Sequence, residues 1–162
     1  MIIRPAEPLD AYAIVDLINP LIRNTAVTFT TEEKRSEDIA AAIRDTGAYF
    51  VACEGAMILG YACYFPFRSG PGYRHTKEHS IALSSEARGK GVGRRLMAML
   101  EDHARAEGVH SLFAGVSGEN PSGVAFHRAI GFAEVARLPQ VGNKFGRWMD
   151  LVLLQKMLSL SH

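Results

Sequence analysis

Cysteine is scarce: Cys53 and Cys63 are the only two in 162 residues. Both lie in apolar runs and their spacing fits no zinc motif. They exclude a disulfide framework and read as buried reduced thiols. Long apolar runs are missing too, and no stretch approaches the roughly 18 residues of a membrane span. The start, Met1-Ile-Ile-Arg-Pro-Ala-Glu7, lacks the basic-then-apolar order of a secretory signal. These absences predict a soluble cytoplasmic protein with no membrane partner. Charge of one sign is lacking as well. Eighteen Lys and Arg oppose 17 Asp and Glu, for a net +1, so no global field draws in nucleic acid. Any anion affinity has to be local. Repeats, low-complexity tracts and linkers are also absent, so residues 1–162 read as one domain. Its 48% apolar and 22% charged content is that of a globular chain. At this length about 70% of the unfolded surface can be buried.

What is present alternates between helical and strand patterns. Ile2–Arg4 reads as a short strand. Ile14, Leu17, Ile18, Leu21 and Ile22 form a helical stripe from Asp10 onward, which Pro20 should kink or divide. Ser36 is placed to cap a second helix carrying Ile39, Ala42 and Ile43, with Gly47 as its stop. Tyr49–Glu54 and Met57–Phe67 read as strands of a hairpin turning at Gly55-Ala56. Ser69–Arg74 is a loop by composition and Thr76–Leu83 a strand. After the Gly-rich run Ala87–Gly93, Leu96, Leu100 and Ala104 mark a helix that Gly108 stops. Ser111–Ser117 is a strand. Pro121 or Ser122 opens a short helix, and Phe132–Leu138 and Trp148–Met157 are the last strands. The fold class is mixed α/β.

The strongest chemical signal is Arg88-Gly-Lys-Gly-Val-Gly93, placed after a strand and at the start of a helix. Glycines let backbone N–H groups approach an anion closely, and a helix N-terminus favours phosphate. Arg88, Lys90, Arg94 and Arg95 concentrate positive charge there. An ordinary strand-to-helix turn would not need three glycines and four bases together. The run is not a Walker A loop, because no Ser or Thr follows, and its glycine spacing departs from the dinucleotide fingerprint.

Arg-x-x-Gly-x-Gly instead resembles the pyrophosphate-binding motif of the GCN5-related N-acetyltransferases, which bind acetyl-CoA. Asn120-Pro-Ser-Gly-Val-Ala-Phe-His-Arg-Ala-Ile-Gly-Phe132 resembles that family's second signature. The blocks Arg74–Ser80 and Pro139–Asp150, with Asn24-Thr25, are similar to its phosphinothricin and methionine sulfoximine branch. The resemblance implies a single-domain, mostly antiparallel sheet flanked by helices, with the parallel strands Thr76–Leu83 and Ser111–Ser117 splayed apart. It implies that backbone groups of Ile81, Ala82 and Leu83 meet the pantetheine arm. Arg88, Gly89, Lys90, Gly91, Val92, Gly93 and Arg94 would hold the pyrophosphate, with Asn120 and Ser122 beside the arm. A homodimer acting on a small amino-acid-like substrate is further implied, with acetyl-CoA as co-substrate and no metal.

Acetyl transfer to an amine needs a neutral nitrogen and a protonated leaving thiol, so a base and an acid are sought. Strand alternation puts Glu78 on the face opposite Ile81, and the resemblance makes that face the cleft; Glu78 is the candidate base. A solvated edge carboxylate is the plainer alternative. His127 stands where relatives often place a Tyr beside the sulfur and is the candidate acid, although a packed helix histidine would look the same. Arg74, His75 and Thr76 resemble the segment that holds the acceptor carboxylate. His75 and His79 are zinc-like in spacing only on a helix, and this segment reads as strand. Phe29, Tyr64, Phe67, Phe145 and Trp148 are each core residues or pocket walls. His103 and His110 read as structural and His162 as a tail residue. The implied activity is N-acetylation of a free amino acid or analogue by direct attack. A protein N-terminus as acceptor, or a CoA-binding sensor without catalysis, are the rivals.

Overall fold

Apolar spacing dictates the first long element. Ile14, Ile18 and Ile22 recur at one helical face, and all three are buried in helix α1 (Ala11–Asn24) of the computed structural model, which describes residues 1–159. His162 lies outside the described residues. Pro20 does not divide α1. The carbonyl deprived of a donor by the proline ring belongs to Asp16, and both residues are exposed, so water can serve that carbonyl. Ser36 also departs from expectation. It is the first residue of helix α2 (Ser36–Thr46) rather than its cap, and Arg35 occupies the cap position without a side-chain bond. The Ser36 hydroxyl reaches the Glu37 carboxylate at 3.2 Å instead. Glu37 and Asp38 supply the negative charge that a first turn favours. Gly47 closes α2 in the left-handed conformation, at φ 62°.

Seven strands hydrogen-bond in the order β1-β2-β3-β4-β5-β7-β6. They are β1 (Ile2–Pro5), β2 (Tyr49–Glu54), β3 (Met57–Pro66), β4 (Thr76–Leu83), β5 (Ser111–Ser117), β6 (Ala133–Lys144) and β7 (Arg147–Met157). Helices α3 (Val92–Ala106) and α4 (Pro121–Ala129) complete the α/β set. β4 and β5 are the parallel neighbours, while β1–β2, β2–β3, β5–β7 and β6–β7 are antiparallel.

The chain falls into two compact units. The first comprises Met1–Asn19, Lys34–Phe65 and His79–Gly108. Its strands pair in register from Ile2 with Cys53 to Pro5 with Phe50, and its core includes Phe50, Val51, Leu59, Leu96 and Leu100, all at most 1% exposed. Each such side chain contributes about 1.5–3 kcal/mol through burial. The second unit comprises Pro20–Glu33, Pro66–Glu78 and the chain from Val109 on. Here β5 pairs with β7 from Ser111 with Met157 to Ser117 with Leu151, over buried Leu112, Ala114, Val152 and Leu154.

The last hairpin is longer than its sequence pattern. β6 continues past Leu138 to Lys144, because the register slips between Leu138 and Gly142. Pro139 sits in that irregularity, where a missing N–H is tolerated. Gln140 takes φ 53° there, and its N–H donates to Asp150 Oδ1 at 3.0 Å. Among the described residues no helix is long and apolar enough to cross a membrane.

Candidate active site

Glu78 stands on β4 and is half-buried. Its carboxylate reaches β5 at Gly115, where a Cβ would sit 3.1 Å from Glu78 Oε2. Among the described residues no hydrogen-bond donor or cation pairs with the carboxylate. Burial alone therefore acts on it and raises its pKa above the usual carboxylate range. A carboxylate in that state is a better proton acceptor than a solvated one.

His127 is set by α4. Asn120 caps this helix: its Oδ1 accepts from the Gly123 N–H at 3.0 Å and from the Ser122 hydroxyl at 3.1 Å. Pro121 at the first helical position has the fixed φ that position favours. One turn on, His127 is only 5% exposed, between the edges of Phe126 and Phe132. Its Nδ1 lies 2.7 Å from the Gly123 carbonyl. A carbonyl only accepts, so Nδ1 carries the hydrogen and the neutral ring presents Nε2 as an acceptor. Desolvation lowers the pKa, with the Gly123 bond opposing it. Proton donation thus requires a ring that has first been protonated.

The Gly-rich run follows a short 3₁₀ turn at Ser85–Ala87. Gly89 and Gly91 take φ 75° and 70°, and a Cβ at either would meet nothing within 4 Å. Gly91 caps α3, whose first intrahelical bond runs from the Arg95 N–H to the Gly91 carbonyl at 3.1 Å. The Val92, Gly93 and Arg94 N–H groups precede that bond and have no acceptor in the helix. Val92 and Gly93 are buried, while Arg88, Gly89, Lys90, Gly91, Arg94 and Arg95 are exposed. Lys90 pairs loosely with Glu54 at 3.7 Å. In the same unit, Ile81 and Leu83 are half-buried and Ala82 is buried; the Leu83 side chain and the Ala82 carbonyl crowd Gly60 on β3.

Arg74 and His75 are exposed, and Arg74 Nε donates to His75 Nε2 at 3.0 Å; Thr76 is half-buried. The five aromatic candidates separate. Tyr64 is buried in the core and hydrogen-bonds Nδ1 of the half-buried His103 at 2.8 Å. Phe67 stacks on Phe113 with centroids 4.6 Å apart. Phe29 lies against Gly142, while Phe145 and Trp148 are exposed. His110 hydrogen-bonds the Ser159 hydroxyl. Among the described residues no group of His, Cys, Asp and Glu could hold a metal ion.

The sequence model of the acetyltransferase (GNAT) family matches residues 13–132. The chain belongs to that family. An L-methionine sulfoximine/L-methionine sulfone acetyltransferase of Salmonella typhimurium is 36% identical over 98% of this chain and 95% of its own. Two solved structures are similar throughout. A ribosomal-protein-alanine N-acetyltransferase from Brucella melitensis shares 39% identity at TM-score 0.89, covering 97% of this chain and 99% of its own. A phosphinothricin acetyltransferase from Sinorhizobium meliloti, in complex with AcCoA, shares 33% identity at TM-score 0.88, covering 96% and 87%.

Three features of this acetyltransferase were not read from its sequence. Gly115 makes room for the Glu78 carboxylate. Gly123 lies so close under the Asn120 amide that a Cβ would sit 2.5 Å from its Nδ2. Lys144, only 2% exposed, donates to the Thr25 carbonyl at 2.7 Å, the Thr28 carbonyl at 2.9 Å and the Thr28 hydroxyl at 3.3 Å. That clamp joins two of the branch-like blocks, Asn24-Thr25 and Pro139–Asp150. A lysine with no apolar pattern around it gave no signal of burial.

Proposed function

We propose that this acetyltransferase moves the acetyl group of acetyl-CoA onto the α-amino group of a small amino acid or analogue. The class is that of methionine sulfoximine, methionine sulfone and phosphinothricin, and attack on the thioester is direct. The observation that carries this reading is the half-buried Glu78 carboxylate, held without a hydrogen bond and with a raised pKa. The names of the relatives support the substrate class.

Acetyl-CoA supplies an activated carbonyl on a thiol leaving group. The Val92, Gly93 and Arg94 N–H groups, with Arg88 and Lys90, would hold its pyrophosphate. The open positive-φ positions of Gly89 and Gly91 suit a close anion. Backbone groups of Ile81, Ala82 and Leu83 would take the pantetheine arm. Asn120 and Ser122 would flank that arm; the Asn120 cap uses Oδ1, leaving Nδ2 to donate. Arg74, His75 and Thr76 would hold the acceptor's carboxylate.

Glu78 takes a proton from the acceptor's ammonium, which frees the nitrogen lone pair. The C–N bond then forms and the C–S bond breaks. The second proton shed by nitrogen passes to His127 Nε2, which returns it to the thiolate. Residues 1–162 act as one N-acetyltransferase domain, in a homodimer, in the cytoplasm.

A second reading, acetylation of a protein N-terminus, is favoured by the name and 39% identity of the Brucella structure. Thiol release from acetyl-CoA separates the two. Free methionine sulfoximine and phosphinothricin should exceed a peptide beginning with alanine by about 10²-fold in kcat/KM. The reverse preference would replace the first reading by the second.

A further inference from the structure

Gly115 is a glycine without a backbone reason. It lies in the interior of β5, opposite Leu153 of β7, and its φ is outside the left-handed region. Glycine in a strand interior ordinarily weakens the strand, and alanine is preferred. Gly115 is exposed, so no core packing forbids a methyl at that position. What stands in the way is Glu78. A Cβ on Gly115 would lie 3.1 Å from Glu78 Oε2 and 3.9 Å from Glu78 Cδ, with Leu151 Cδ1 at 3.5 Å. The first distance is tighter than an ordinary van der Waals contact, and the other two are not.

We propose that Gly115 is a positioning residue whose missing side chain seats the Glu78 carboxylate against the backbone of β5. The proposal rests on the reading of Glu78 as the base. The seat has two consequences. It lets the half-buried carboxylate approach β5 at Gly115, in keeping with the burial that raises its pKa. It also fixes where the carboxylate oxygens stand, and proton transfer depends steeply on that position. A methyl at 115 would displace them by a few tenths of an ångström without touching the Gly-rich run of α3.

Gly115→Ala and Glu78→Ala, singly and together, test the seat. In the wild-type background Gly115→Ala should lower kcat by roughly tenfold. It should displace the acid limb of the kcat/KM profile and leave the KM for acetyl-CoA unmoved. Its melting temperature should fall. In the Glu78→Ala background the same substitution should raise the melting temperature, as an ordinary strand Gly→Ala does. Such a change of sign is the coupling expected of residues in contact. An equal rise in both backgrounds, or wild-type kcat with an unmoved acid limb, overturns the proposal. Should Gly115→Ala not fold, recovery of a folded double variant supports the seat and its failure overturns it. Failure of Glu78 as the base would appear separately, as a Glu78→Gln enzyme with wild-type kcat alongside an intact melting-temperature coupling.

Discussion

Glu78, the proposed base, sits where burial disfavours its charge and so weakens the fold. Burial raises its folded pKa, and no donor compensates. A raised folded carboxyl pKa means that folding favours the neutral form. The associated stability is full below the unfolded pKa and is lost as pH rises through the folded value. At pH 7–8 the ionised group is therefore a liability that an amide would remove. Glu78→Gln should raise the melting temperature at pH 8, with a gain that vanishes near pH 4, while kcat falls by about 10²-fold or more. Melts and initial rates across that range check both; a lower melting temperature at pH 8 would contradict the assignment. The kinetic loss should shrink at high pH, where solvent deprotonates the amine itself. His127 has the opposite sign. Its pKa is depressed, so its contribution is present above the unfolded value and is lost as pH falls through the folded one. His127→Ala should slow thiolate departure, and slow it least for a thioester whose thiol is more acidic.

Elements carry the next two expectations. At the start of α3, Gly91→Asp would add a side chain at φ 70° and a negative charge beside the open N–H groups. Acetyl-CoA affinity should weaken by more than about tenfold, since two such effects oppose binding there. Gly91→Asn separates them, because Asn tolerates the left-handed region and is uncharged. Calorimetry showing unchanged affinity in folded Gly91→Asp would remove this run from the cofactor site. In β6, Lys144→Met would leave the Thr25 and Thr28 carbonyls without their ammonium. These acceptors are half-buried, so water can recover part of the roughly 1–3 kcal/mol that an orphaned buried acceptor costs, and denaturant unfolding should show a loss of about 1–3 kcal/mol. Proteolysis between residues 25 and 33 should quicken with it. These two elements also mark what the sequence could reveal. The helix start of α3 was legible because glycines, bases and a following apolar stripe are local. The β6 extension was not: the strand reads as ending at Leu138, and the bulge that carries the chain past Pro139 depends on pairing with β7. The Lys144 clamp spans 119 positions, and the seats at Gly115 and Gly123 exist only through contacts that no spacing encodes.

Over the whole chain the net charge is +1, so recognition of an anionic cofactor, and of the zwitterionic acceptor proposed, must come from local groups. Arg88, Arg94 and Arg95 have no carboxylate partner among the described residues, which leaves their charge available. Family and fold were legible in the sequence because their motifs recur along most of its length. Acceptor choice rests on a few side chains and is the finer question. Arg74 is the side chain proposed to decide it. Its Nε is occupied by His75 Nε2, and its two terminal nitrogens have no other partner among the described residues. Those nitrogens can bind both oxygens of a carboxylate at once. Esterifying the acceptor removes the charge that this fork would grip, and a cation left unpaired in a filled site commonly costs several kcal/mol. Methyl esters of phosphinothricin and methionine sulfoximine should therefore lose at least about 10²-fold in kcat/KM relative to the free acids, at about 1.4 kcal/mol per tenfold. Arg74→Ala should slow the free acids and narrow the gap to about tenfold or less, because without the fork the free carboxylate gains no contact that the ester lacks. Arg74→Lys keeps the charge and loses the geometry, so its gap should fall between the two. Equal rates on acid and ester in the wild type, or an unchanged gap in Arg74→Ala, would assign carboxylate recognition elsewhere and leave the role proposed for Glu78 untouched.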